Sequence, residues 1–199
     1  MAITAQMVKE LREVTGAGVL ECRKALEACE GDIAKATELL REKGMAAAEK
    51  KAERATNQGI IGYYIHTGSR LAALVELNCE TDFVARTPEF QELGHDLAMQ
   101  VVATSPRWVS AESVPAEVIE VEKDHYRREA LAEGKSEKIV EKIVEGRLEK
   151  FYDQYCLLRQ PYFRDPDVII GDLLKQKIAK LGENIVVRRF VRYEVGGSE

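Results

Sequence analysis

At Gly59 the spacing of apolar residues changes from a helical period to alternation, and that change decides the fold class. Before it, three short segments carry apolar residues three and four apart. Thr4 is placed to cap the first, whose Val8, Leu11 and Val14 share a face before Gly16. The link Thr15 to Gly18, TGAG, is tight, because glycine accepts the positive φ needed to leave one helix and enter the next. The second segment offers Val19, Cys22, Leu26 and Cys29 at helical spacing. Gly31 stops it and Asp32 caps the third, where Ile33, Ala36, Leu39 and Leu40 form a stripe that ends at Gly44. Helices this short are marginal alone, so their apolar faces must pack on one another. Residues 1–44 therefore read as a compact three-helix domain.

Residues 45–56, MAAAEKKAERAT, lack an apolar stripe and read as a solvated helical connector. After Gly59 the alternating runs GIIGYYIH and LAALVELN flank the turn Thr67-Gly68-Ser69-Arg70 as a β-hairpin. Helices are expected over residues 88–104, 115–133, 136–155 and 172–181. The first of these turns Phe90, Leu93, Leu97 and Val101 inward, and the third Ile139, Ile143, Phe151 and Tyr155. A loop with Pro161 and Asp165-Pro166 leads to the last helix. The chain finishes in NIVVRRFVRYEV, a long strand with Ile185, Val187, Val191, Tyr193 and Val195 on one face. Hairpin and final strand make a three-stranded antiparallel sheet packed by helices, so residues 57–199 read as an α+β core. If the final strand is an exposed edge it invites a second copy of the chain, and a homodimer is expected.

Charge narrows the range of partners. Twenty-nine Lys and Arg stand against 34 Asp and Glu, a formal net charge of −5. That argues against a dominant nucleic-acid surface, which needs an excess of cations on one face, and so against an RNA-binding accessory factor. The mixed-sign run in residues 45–56 reads as a solvated face. No apolar run approaches the roughly 18 residues that a membrane span needs. Met1-Ala2-Ile3-Thr4 lacks the charged-then-apolar plan of a secretion signal. Cys22, Cys29, Cys79 and Cys156 form no CxxC pair, which fits reduced thiols in a cytoplasmic protein better than a zinc site or disulfide framework. No cofactor, metal or membrane partner is expected.

The residues of catalysis are sparse. His66, His95 and His125 lie far apart, and there is no GxSxG, HExxH or P-loop motif. Glu80 and Asp82 with His66 are the one candidate acid–base group, as in a small hydrolytic enzyme, but nothing supplies an oxyanion site. The chain reads as a binding protein rather than an enzyme.

One stretch asks for a partner. In LVELNCETDFVARTPEF, residues 74–90, a strand ends in polar residues, and Phe83 follows before a helix start at Thr87-Pro88-Glu89. Either Phe83 turns back into its own core with Asp82 as a helix cap, or it is presented outward. LREVTGAGVLECRKAL (Leu11 to Leu26) and VELNCETDFVAR (Val75 to Arg86) closely resemble the two signature stretches of the bacterial elongation factor Ts family. KIVEGRLEKF (Lys142 to Phe151) and the terminal VRYEV are also similar to family segments, so the resemblance covers nearly the whole chain. Val19-Leu20-Glu21 stands where the family often has two Met and an Asp, which keeps the apolar and acidic character.

The resemblance implies a ubiquitin-associated type of N-terminal domain on an α+β core, and guanine-nucleotide exchange on elongation factor Tu. It implies that Thr81, Asp82, Phe83 and Val84 form a loop that reaches into the partner's nucleotide domain and disturbs its magnesium site. It also implies that Arg12, Val19 and Leu20 touch that domain, although Val19 packing inside the three-helix domain is an open alternative. With one sheet, the chain resembles a short form, without the second core subdomain and coiled-coil insertion of many members.

Overall fold

The structure is a computed structural model that describes residues 3–197. Residues 1–2 and 198–199, the outer ends of the segments 1–44 and 57–199, lie outside the described residues. Contacts group the chain into two compact units. One comprises Met1–Ile60, Leu77–Glu92 and Asp172–Val186, the other Ile61–Glu76, Leu93–Gly171 and Val187–Glu199.

The first unit begins with α1 (Ala5–Thr15), α2 (Val19–Ala28) and α3 (Ile33–Glu49). Thr4 Oγ1 accepts the Met7 N–H at 3.2 Å, and Gly16 ends α1 in the left-handed conformation, φ 68°. Asp32 caps α3 by accepting the Lys35 N–H at 3.0 Å. Leu11, Cys22, Ala25, Leu26, Ala36 and Leu40 form the buried centre of the bundle. Val14, expected on the inward face, is exposed instead, and so is Val19, for which packing inside the bundle is the alternative to an outward contact. The third helix does not end at Gly44. The alanine-rich run carries it to Glu49 and buries Ala48, because alanine costs least to hold helical. In the same unit α8 (Ile170–Leu181), from Asp172 onward, runs beside these helices. An added Cβ at Gly44 would stand 3.0 Å from Ala179 Cβ, and Lys175 Nζ lies 3.6 Å from Glu49.

In the second unit α5 (Pro88–Thr104) continues from Leu93 with Leu97 and Val101 buried, as its spacing predicts. A strand crosses this helix where both elements carry glycine. A Cβ on Gly62 would stand 2.3 Å from the Gly94 carbonyl oxygen, so the approach excludes any side chain there. α6 (Ala116–Ala132) and α7 (Glu137–Tyr155) pack on each other through Ala130, Val140 and Val144. Phe151 is buried as expected, but in the first turns the inward residues are Val140 and Val144, while the expected Ile139 is 51 % exposed, so the buried stripe there lies one residue along the helix. The expected loop after α7 contains a two-stranded ribbon, β3 (Pro161–Tyr162) with β4 (Asp165–Ile169). Buried polar groups hold it. Asp96 accepts from Tyr162 Oη at 2.5 Å and Arg164 at 2.6 Å, and Gln100 donates to the Pro161 carbonyl at 3.0 Å.

The antiparallel sheet has the order β1 (Gln58–Ile65), β2 (Leu71–Cys79), β5 (Ile185–Glu194), which gives an α+β fold. The hairpin closes where the His66 N–H donates to the Leu71 carbonyl at 2.8 Å. Alternation along β2 buries Ala73, Val75, Leu77 and Cys79. β5 does not keep one inward face. Ile185 and Val187 are buried, but Arg188 and Arg189 are both exposed, and after them Phe190 and Arg192 are the half-buried residues. Val191, Tyr193 and Val195 therefore lie on the solvent side, against the expected single face. Arg189 is held outside by Glu76 at 2.7 Å.

Candidate functional site

Cys79, the last residue of β2, is buried, and burial pushes its thiol up from the ordinary value, with the Glu183 carboxylate adding to the shift. The thiol donates to the Thr81 carbonyl at 3.1 Å. The chain then leaves the sheet and makes the single helical turn α4 (Asp82–Ala85) before α5. Thr81, not Asp82, caps this turn, accepting the Val84 N–H on Oγ1 at 3.4 Å. Asp82 lies within the turn and pairs with Arg86 at 2.9 Å. Thr87 repeats the device: its hydroxyl donates to the Val84 carbonyl at 2.8 Å and accepts the Phe90 N–H at 3.3 Å.

Between the two caps Ala85 is buried, Val84 is half-buried and Phe83 is 83 % exposed. Phe83 does not turn back into the core. A four-residue helix with one buried alanine gains little from apolar burial, so its placement depends on hydrogen bonds from outside it. The Glu183 carboxylate accepts the Glu80 N–H at 3.1 Å, the Thr81 N–H at 3.0 Å and the Thr81 hydroxyl at 2.6 Å. The Glu80 carboxylate in turn accepts the Asn184 N–H at 2.7 Å. Sequence reasoning missed Glu183 and Asn184, which lie more than a hundred residues along the chain. Their only local sign is a polar pair directly after the helix-ending Gly182.

At the start of α2, beyond Gly18, Val19 is 53 % and Leu20 70 % exposed, and Arg12 on α1 is also exposed. These three and the Phe83 loop belong to the same compact unit. Among the described residues no hydrogen bond or ion pair joins the two groups. The acid–base alternative is not assembled. His66 stands at the hairpin turn, bonded to Tyr64 Oη at 3.0 Å, and the nine residues of β2 separate that turn from Glu80. Proximity along the sequence misleads here because an extended strand carries its ends far apart. Among the described residues no group of three or more His, Cys, Asp or Glu is arranged to hold a metal ion. No helix among them is long and apolar enough to cross a membrane.

The family model described as Elongation factor TS matches residues 2–197. Elongation factor Ts of Carboxydothermus hydrogenoformans is 57% identical over 194 residues, 98% of this chain and 89% of that protein. Elongation factor Ts of Solibacter usitatus is 54% identical over 197 residues, 99% of this chain and 93% of that protein. Elongation factor Ts of Thermosipho melanesiensis is 56% identical over 194 residues, 98% of this chain and 99% of that protein. With a family match along almost its whole length and relatives at these identities, the chain belongs to the elongation factor Ts family of translation elongation factors.

Proposed function

We propose that this chain is a guanine-nucleotide exchange factor for elongation factor Tu, acting without covalent chemistry, and that Thr81, Asp82, Phe83 and Val84 are the wedge. The observation that carries this reading is the 83 % exposure of Phe83 on a short turn braced at both ends. A nucleotide in a GTPase owes much of its affinity to a magnesium ion that bridges its phosphates to protein oxygens. An aromatic wedge that displaces an ion-bearing element weakens the ion and so the nucleotide. By linkage, the factor then binds the empty partner more tightly than the loaded one by the same ratio. It drives nothing uphill, and excess GTP sets the direction.

Arg12, Val19 and Leu20 are a second contact with the partner's nucleotide domain in this reading, supported by the exposed apolar pair at the start of α2. The chain works in the cytoplasm, without nucleic-acid or membrane partners, and as a homodimer. The dimer is supported by an apolar face in the second unit, where Ile61, Tyr63, Ile65, Val191, Tyr193 and Val195 are all exposed. The test of function is GDP release from elongation factor Tu with catalytic amounts of this chain. Acceleration is expected, and a release rate equal to that of elongation factor Tu alone overturns the reading.

A further inference from the structure

The turn that carries Phe83 does not hold itself in place. Phe83 contributes little burial, and the Asp82–Arg86 pair is an exposed ion pair of the kind that contributes little. One carboxylate, that of Glu183 in the turn between α8 and β5, takes three donors from the two residues where the loop leaves the sheet. Hydrogen bonds to an ionised acceptor are the strong ones, and three on one group fix direction as well as distance. The Thr81 hydroxyl donates to Glu183, which orients its remaining lone pairs toward the Val84 N–H. The carboxylate thus sets the rotor of the cap that starts α4.

The brace is reciprocal and is anchored behind. The Glu80 carboxylate accepts the Asn184 N–H at 2.7 Å. Asn184 is 2 % exposed, and its side-chain amide donates to the carbonyls of Ala52 at 3.1 Å and Arg54 at 2.9 Å. Gly182, at φ +80°, ends α8 in the left-handed conformation, so that Glu183 and Asn184 follow at once. Three stretches of chain, at residues 52–54, 80–81 and 183–184, meet here, and all belong to the first compact unit.

We infer that Glu183 is a positioning residue for exchange: it acts through Thr81 to hold Phe83 at one angle, with Asn184 as its anchor. The inference rests on the exchange reading above. A wedge already aligned puts its contact energy into moving the partner, whereas a loose one spends part of it on ordering itself. Loss of the brace therefore lowers the maximal rate of nucleotide release more than the apparent affinity for loaded partner.

The experiment measures GDP release from elongation factor Tu as a function of factor concentration for wild type, Glu183→Ala, Glu183→Asp, Glu183→Gln and Phe83→Ala. Glu183→Ala is expected to lower the maximal rate about 10- to 100-fold, the scale of a misplacement near 1 Å, with the half-saturating concentration within about threefold. Glu183→Asp keeps the charge but withdraws it by one methylene, and is expected to lose rate in the same sense. Glu183→Gln keeps one acceptor oxygen for the Glu80 and Thr81 N–H groups but loses the charge and sets an amide NH2 against the Thr81 hydroxyl, so its rate is expected to fall between those of wild type and Glu183→Ala. Hydrogen exchange on the free protein supplies a readout without the partner, the Glu80 and Thr81 amides being expected to exchange at least about tenfold faster in Glu183→Ala and Glu183→Asp. A wild type that fails to accelerate release removes the exchange reading itself. With an active wild type and an impaired Phe83→Ala, a Glu183→Ala that keeps the maximal rate of wild type overturns the positioning role alone, whether or not the Glu80 and Thr81 amides exchange faster.

Discussion

Phe83 leaves a large apolar side chain in solvent, at a position where the fold gains almost nothing from it. Truncating a buried Phe costs about 3–5 kcal/mol, whereas an exposed one costs within roughly 0.5 kcal/mol. Phe83→Ala is therefore expected to leave the denaturation midpoint nearly unchanged while nucleotide exchange falls sharply. A large drop in midpoint would place Phe83 in the core and contradict its exposure, and unchanged exchange would remove the wedge mechanism. That Phe83 needs an explanation was legible in the sequence, because an aromatic followed polar residues at the end of an alternating run. Which way it points was not legible. The answer depends on Glu183, 102 residues from Thr81, and no local pattern pairs a carboxylate with a backbone N–H at that separation. Asp82 shows the same limit, since both it and Thr81 are good caps by type and only the backbone at Thr81 is extended (φ −126°, ψ 157°).

At the scale of elements, periodicity identified α5 together with its buried face, but for the first turns of α7 it left the rotation to packing. Lys138-Ile139-Val140 offers two adjacent apolar residues, and a helix turns about 100° between them, so a shift of one residue satisfies the same spacing. Val140 lies against Ala130 and Val144, and Ile139 does not. Val140→Ala is expected to destabilise by about 1.5–3 kcal/mol, the burial of two methyl groups and the cavity left behind. Ile139→Ala is expected to stay within roughly 0.5 kcal/mol. Urea midpoints that rank the two variants in the opposite order would contradict the rotation of α7. The contact of α5 with α8 carries a pH dependence. Burial raises the Glu89 carboxyl, but hydrogen bonds and charge from Lys177, at 2.6 Å, and Lys180, at 2.8 Å, outweigh it and hold the group below its ordinary value. A carboxyl depressed in the folded state stabilises above its unfolded value, about 4.3, and loses that contribution as pH falls through the folded one. Glu89→Gln is expected to flatten the acid limb of stability measured from pH 7 downward, and a slope equal to that of wild type would show that the two lysines do not act through Glu89.

For the molecule as a whole, the fold class was legible because the change of period at Gly59 leaves few ways to bury the apolar residues on each side of it. The outward face of the sheet was not. Along NIVVRRFVRYEV the alternation runs on through Arg188 and Arg189, yet these two are exposed in succession and the inward side changes there. Val191, Tyr193 and Val195 consequently join Ile61, Tyr63 and Ile65 on the solvent side, with Tyr63 and Tyr193 each 64 % exposed. A patch of this kind on one face, rather than scattered single residues, marks an interaction surface. In the proposed homodimer a second copy covers it, since a two-fold interface sets the same patch against itself and sheets pack face to face through their outward side chains. Tyr63→Asp puts a charge on that face without touching the buried side of β1. Sedimentation at micromolar concentration is expected to give a dimer for the wild type and a monomer for Tyr63→Asp, with the same circular dichroism for both. A wild type that sediments as a monomer would exclude the homodimer and leave the apolar face without a second copy to cover it.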